Sequence, residues 1–212
     1  TPPYSLFNDV DYENAPNEEK YRWVEYHKWN FDAKYYLPII EKLVLAPRVH
    51  FGFIGSYTGD ASIGPFERFV LGGDGLTGQN FILGTDVIGL RGYPNPQTGA
   101  TRATSVTPFD NQNSILGGTL FTKYVMELRY AISMSPTATI YVQTFLEAGN
   151  NWNDFNQYNP YDLKRSAGVG ARIFMPAFGL LGLDWGYGFD PVLGGNSPAG
   201  SQFHFSIGQQ IR

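Results

Sequence analysis

Residues 119–134 read Thr-Leu-Phe-Thr-Lys-Tyr-Val-Met-Glu-Leu-Arg-Tyr-Ala-Ile-Ser-Met, and their alternation decides the fold. Leu120, Tyr124, Met126, Leu128, Tyr130, Ile132 and Met134 fall on one face, and Thr119, Lys123, Glu127, Arg129 and Ser133 on the other. A period of two held for about sixteen residues outruns the ~5–6 residues of an ordinary globular strand and is long enough to cross a bilayer at a tilt. The pattern returns six more times. In 137–149, Ala138, Ile140, Val142, Leu146 and Ala148 oppose Thr139, Tyr141, Gln143, Phe145, Glu147 and Gly149; in 164–175, Ala167, Val169, Ala171 and Ile173 oppose Lys164, Ser166, Gly168, Gly170 and Arg172. In 180–189, Leu181, Leu183, Trp185, Tyr187 and Phe189 oppose Gly182, Asp184, Gly186 and Gly188, and in 202–211, Phe203, Phe205, Ile207 and Ile211 oppose Gln202, His204, Ser206, Gly208 and Gln210. Upstream, 43–57 and 29–37 alternate in the same way, which makes seven predicted strands.

The connections alternate in length. Short ones fall at 38–42, 135–136 and 176–179, and long ones at 58–117, 150–163 and 190–201, the habit of outer-membrane barrels. A soluble sandwich would carry many exposed Lys and Glu on its polar faces. Here those faces are mostly Gly, Ser, Thr and a few opposed charges, while aromatic residues gather near strand ends as interfacial belts do. The expected architecture is therefore all-β, an antiparallel transmembrane β-barrel. An odd count of seven also predicts further strands before Thr1, because single-chain bacterial barrels run in even numbers and must close to hide their edges.

Composition agrees. Only 16% of the 212 residues are charged while 16% are aromatic; there are 25 glycines, 14 prolines and no cysteine. Helical bundles and disulfide scaffolds are excluded, and no run approaches the ~20 apolar residues of a helical membrane span. Fifteen Lys and Arg against nineteen Asp and Glu give a net charge of −4, so nucleic acid is not an expected partner.

The connection 58–117 shows no evident strand of its own, yet it carries Phe66-Glu67-Arg68-Phe69-Val70-Leu71-Gly72-Gly73 and Leu90-Arg91-Gly92-Tyr93, which need something to pack against. A loop folded into the barrel lumen meets that need. Desolvation then requires Arg91 to find a carboxylate, and the inward candidates are Glu127, Glu147 and Asp184.

Leu90-Arg91-Gly92-Tyr93 resembles the Val/Ile/Leu-Arg-Gly-Phe/Tyr motif in the sixth extracellular loop of the BamA-type outer-membrane insertase and transporter superfamily. The 66–73 block resembles the approach to that loop. Phe145-x-Glu147-x-Gly149 resembles the Phe-x-Asp-x-Gly motif of the barrel wall, with Glu for Asp. Ser166-Ala167-Gly168-Val169-Gly170 and Phe203-His204-Phe205-Ser206-Ile207-Gly208 extend the match, so that it runs from about residue 21 to the end. One departure is the terminal Ile211-Arg212, where many members end on an aromatic residue.

The resemblance implies that residues 1–212 are the C-terminal portion of a sixteen-stranded barrel, with POTRA domains and earlier strands preceding it. It implies that Arg91 docks near Phe145 and Glu147. The last strand, with Phe203, Phe205, Ile207, Gly208 and Ile211, would be one lip of a gate through which client strands enter. Outer-membrane lipid, client β-barrel proteins, accessory assembly subunits and the rest of the same protein are the implied partners, in the outer membrane of a Gram-negative bacterium. A two-partner-secretion-type exporter of one passenger and a passive porin or receptor are the alternatives.

No cofactor or metal is expected. His50 and His204 point inward with Ser206 and Asp184, but no motif sets a nucleophile beside a base, so an outer-membrane lipase is disfavoured. Gly73-Asp74-Gly75-Leu76-Thr77-Gly78 matches G-x-G-x-x-G without a strand-to-helix unit and reads as turn chemistry. Asn150–Asp154 lacks calcium-loop spacing and reads as a solvated surface.

Overall fold

The computed structural model describes residues 25–57, 67–74, 86–95, 106–107, 117–135, 138–176 and 179–207. Among these residues ten strands form: β1 (Tyr26–Lys34), β2 (Leu37–Ile40), β3 (Leu43–Ser56), β4 (Phe69–Leu71), β5 (Asp86–Ile88), β6 (Leu120–Met134), β7 (Thr139–Trp152), β8 (Lys164–Met175), β9 (Gly179–Pro191) and β10 (Pro198–Ile207). Eight make one antiparallel sheet in the order β1-β3-β6-β7-β8-β9-β10, with β2 pairing β3 beside β1. The decisive stretch becomes β6, fifteen residues long. At ~3.3 Å per residue it extends about 50 Å, enough to span the ~30 Å hydrocarbon core when tilted.

Parity along each strand sorts the side chains as the alternation requires. On the outward face Leu146 is 58% exposed, Leu183 53% and Phe203 73%, whereas their inward neighbours Glu147, Asp184 and His204 are buried. An apolar face of this extent has no place in water. Trp29, Phe31, Phe51 and Phe53 stack along its β1–β3 edge.

Three expectations change. The strand placed at 29–37 starts at Tyr26 and stops at Lys34, and Leu37 joins residues 38–40 of the expected short connection in the separate strand β2. Both pair with β3, in one register from Lys34 to Pro38 and shifted only between Pro38 and Ile40, so the aromatic alternation runs through the break and hides it. Secondly, the connection 58–117 does hold strands. Phe69–Leu71 and Asp86–Ile88 form a small parallel ladder, too short to show a period in the sequence. Thirdly, Asn150 and Asn151 are buried at the end of β7 rather than solvated. The Asn150 amide donates to the Asp162 carbonyl at 2.7 Å and the Asn151 amide to the Phe69 carbonyl at 3.1 Å.

The chain's apolar core lies between the long connection and the inner wall. Phe69, Leu71, Ile88, Leu90, Tyr93 and Val106 of the connection pack on Ile54 of β3 and Phe121 of β6. Backbone bonds between Phe69 and Gly118 fasten its base at 2.7 and 2.8 Å, and Thr107 Oγ1 accepts from Leu71 N at 2.8 Å. Leu120 keeps outward parity yet is buried at the long-loop rim, where Phe155 packs edge-on against Phe53.

The sidedness of the wall is testable. Val169 sits outward at mid-β8. Val169→Arg is expected to cost about 2–4 kcal/mol, as a cation near the bilayer midplane does, while Tyr161→Arg in an outer connection shifts stability by less than about 0.5 kcal/mol. Urea titration of the protein in lipid vesicles, read by heat-modifiable gel mobility, measures both.

Candidate loop-docking site

The tip of the long connection is set by local geometry. Leu90 N donates to the Gly73 carbonyl at 2.9 Å and Tyr93 N to the Leu90 carbonyl at 3.3 Å, which folds 90–93 into a tight turn. Gly92 sits at φ +85°, a conformation that L side chains rarely adopt. The turn is laid directly on the wall. A Cβ on Gly92 would lie 2.9 Å from Ser166 Cβ of β8 and 3.0 Å from Gly188 N of β9; a Cβ on Gly186 would lie 2.8 Å from Gly92 N. Only bare backbone on both sides permits this approach.

From there Arg91 reaches carboxylates on two neighbouring strands. Its backbone N donates to Glu147 Oε2 and its Nε to Glu147 Oε1, each at 2.8 Å, while Nη2 donates to Glu127 Oε1 at 2.6 Å. Asp184 Oδ2 lies 3.6 Å from Nη1. The guanidinium stacks over the Phe145 ring, 3.7 Å from its centroid. With its amide oxygen turned inward, Gln143 accepts from Arg91 Nη1 at 2.9 Å and Arg172 Nη2 at 3.2 Å. Burial alone would lower the proton affinity of Arg91, but the charges of Glu147, Glu127 and Asp184 more than reverse this, and the group stays a cation.

Each carboxylate also has a cation carried by the wall itself. Lys123 Nζ lies 3.2 Å from Glu147 Oε1 and donates to the Gly89 carbonyl at 2.5 Å. Arg129 donates to Glu127 Oε2 at 2.6 and 2.9 Å. Arg172 forks onto Asp184, Nη1 to Oδ1 at 2.9 Å and Nη2 to Oδ2. The wall therefore has Lys123, Arg129 and Arg172 against Glu127, Glu147 and Asp184. It is neutral before Arg91 arrives.

The other tip residues extend the contact. Gly92 N donates to His204 Nε2 of β10 at 3.0 Å; the Tyr93 hydroxyl donates to the Arg165 carbonyl of β8 at 2.8 Å and accepts from Asp190 N of β9 at 3.3 Å. Burial pushes the Tyr93 hydroxyl well above the ordinary phenol range, so it remains a donor. Residues 91–93 thus bond to every strand from β6 to β10.

Among the residues singled out in the sequence, Leu90, Arg91, Gly92 and Tyr93 lie together with Phe145 and Glu147. Gly149 lies one pleat further along, opposite Lys123, where a Cβ would meet the Thr122 carbonyl at 3.0 Å. Phe203 and Phe205 point outward from β10, and the Ile207 backbone pairs with Leu181. Gly208 and Ile211 lie outside the described residues, as do Phe66 and most of the G-x-G-x-x-G stretch. No hydrogen bond joins Ser206 to a histidine or to Asp184 among the described residues; His50 Nε2 instead meets Asn30 Oδ1 at 2.6 Å. Sequence reading did not pick out Lys123, Arg172 or Gln143 as partners, nor His204 as an acceptor. Their inward parity was the only available signal.

Charge counting orders the expected costs. Arg91→Met leaves a neutral wall and is expected to cost about 1.5–3 kcal/mol, the range for hydrogen bonds to charged groups. Glu147→Gln leaves buried Arg91 and Lys123 without their shared counterion and is expected to cost about 3–5 kcal/mol. The measurement is the urea midpoint of the folded gel band, and the reverse ranking would contradict the wall's self-neutrality.

A sequence search returned no match among curated proteins. The family model of the Omp85 superfamily domain matches residues 12–211. That domain implies an outer-membrane β-barrel, in accord with the antiparallel sheet and its apolar outer face. By sequence and by fold, the chain belongs to the Omp85 superfamily.

Proposed function

We propose that this chain is the gate half of a machine that folds β-barrel proteins and inserts them into the outer membrane without nucleotide hydrolysis, together with POTRA domains of the same protein and accessory subunits. One observation carries the reading: the loop tip is bonded across β6 to β10 and ends on the strand that terminates the sheet. A loop that grips the terminal strand sets how readily that strand's free edge is presented. An unpaired edge offers backbone donors and acceptors to an incoming strand, which is β-augmentation. A mismatched, locally thinned bilayer beside it lowers the barrier to insertion.

In this reading Arg91, Glu147 and Glu127 hold the resting position, and β10, with Phe203 and Phe205 toward lipid, is the lip that moves. The apolar plug formed by Phe69, Leu90 and Tyr93 against Ile54 and Phe121 argues against a permanently open porin. It suits equally an exporter that opens for one passenger.

Depletion of the protein from cells separates these readings. Quantification of folded barrel proteins in the outer-membrane fraction is expected to show a general fall, with unfolded precursors accumulating in the periplasm. Loss of a single secreted passenger with other barrels unchanged would replace the insertase by a dedicated exporter. No change in either would leave a porin-like or receptor role.

A further inference from the structure

His204 carries a role beyond lining the lumen. It lies on β10, buried, and its Nε2 accepts the Gly92 N–H at 3.0 Å, while its Nδ1 has no partner among the described residues. Because Nε2 is the acceptor, the ring is neutral and its proton sits on Nδ1. A buried imidazole that makes a single hydrogen bond makes it to a loop amide, not to its own sheet. Across β9 the inward neighbours of β10 are mostly bare: Gln202 faces Gly186 and Ser206 faces Gly182, with Asp184 opposite His204 and already engaged by Arg172. The tip crosses β9 over Gly186 and Gly188 and meets His204 on the far side.

We propose that His204 is a positioning residue that ties the loop tip to β10, so that undocking of residues 90–93 and loosening of β10 are one coupled event. The inference rests on the reading of β10 as a movable lip. The tie costs β9 nothing in side-chain packing, because Gly186 leaves the path open, and it acts at the one amide whose residue is fixed at φ +85°. Arg91 and Glu147 position that amide on one side; the imidazole receives it on the other. The charged groups facing the ring are Asp74, Asp184, Glu147 and Arg91, all buried.

Hydrogen exchange by mass spectrometry, on the full-length protein in lipid nanodiscs, tests the tie. His204→Leu is expected to speed exchange over both 88–95 and 198–207 by about threefold to tenfold, the worth of one hydrogen bond, with 139–152 unchanged. His204→Gln, whose amide oxygen can accept from Gly92 N, should stay near wild type. Arg91→Lys should loosen 198–207 when His204 is present and add nothing in the His204→Leu background. Heat-modifiable mobility verifies folding of each variant, and His204→Asn, too short to reach Gly92, replaces His204→Leu if that variant does not fold. The tie is overturned if 198–207 is unaffected by His204→Leu, if Leu and Gln act alike, or if Arg91→Lys acts equally in both backgrounds. Client insertion is not read out, so the coupling and the insertase reading stand or fall separately.

Discussion

A guanidinium that leaves water must find anions fixed in place, and the burial of Arg91 organises the inner half of this structure. Desolvation is offset only where geometry is good and several acceptors converge. Glu147 supplies a fork to Nε and to the backbone N, Glu127 meets Nη2, and the Phe145 ring covers the face. The planar fork explains why arginine, not lysine, stands at the tip. Because Lys123, Arg129 and Arg172 already neutralise the three carboxylates, the wall is complete without its guest. In charge terms, docking thus adds to a balanced surface and does not repair an unbalanced one.

The floor beneath the tip follows a different logic. Gly92, Gly186 and Gly188 bring two backbones together where no side chain fits, and specificity there is steric. The charges fix which loop docks, and the glycines fix how deep it sits. Both act through inward positions alone, leaving the lipid face free to answer to the membrane.

The seven strands of the wall's main path, its two faces and the inward carboxylates were legible in the sequence because the environments on the two sides of a barrel wall differ sharply and the period is two. Pairing within the lumen was not. Lys123 and Arg172 share parity with Glu147 and Asp184, but register across three strands decides which cation meets which anion, and period alone does not set register. The β1–β2 break was hidden because Trp29, Phe31, Tyr35 and Leu37 keep alternating through it. Leu120 kept its predicted parity but not its exposure, since a connection from β7 folds over the rim. Asn150 and Asn151 looked like solvated loop residues and are instead buried, donating to the Asp162 and Phe69 carbonyls.

The β4–β5 ladder is parallel, whereas every pairing in the wall is antiparallel. A tight turn can join antiparallel strands, whereas a parallel pair needs a crossover connection. The ladder and its anchor at Gly118 lie, along the chain, inside the span that the pairing of Phe53 with Leu120 closes. Once that wall pairing exists, both inner contacts join parts of a loop whose ends are already held, and each costs less chain entropy than it would in a free chain.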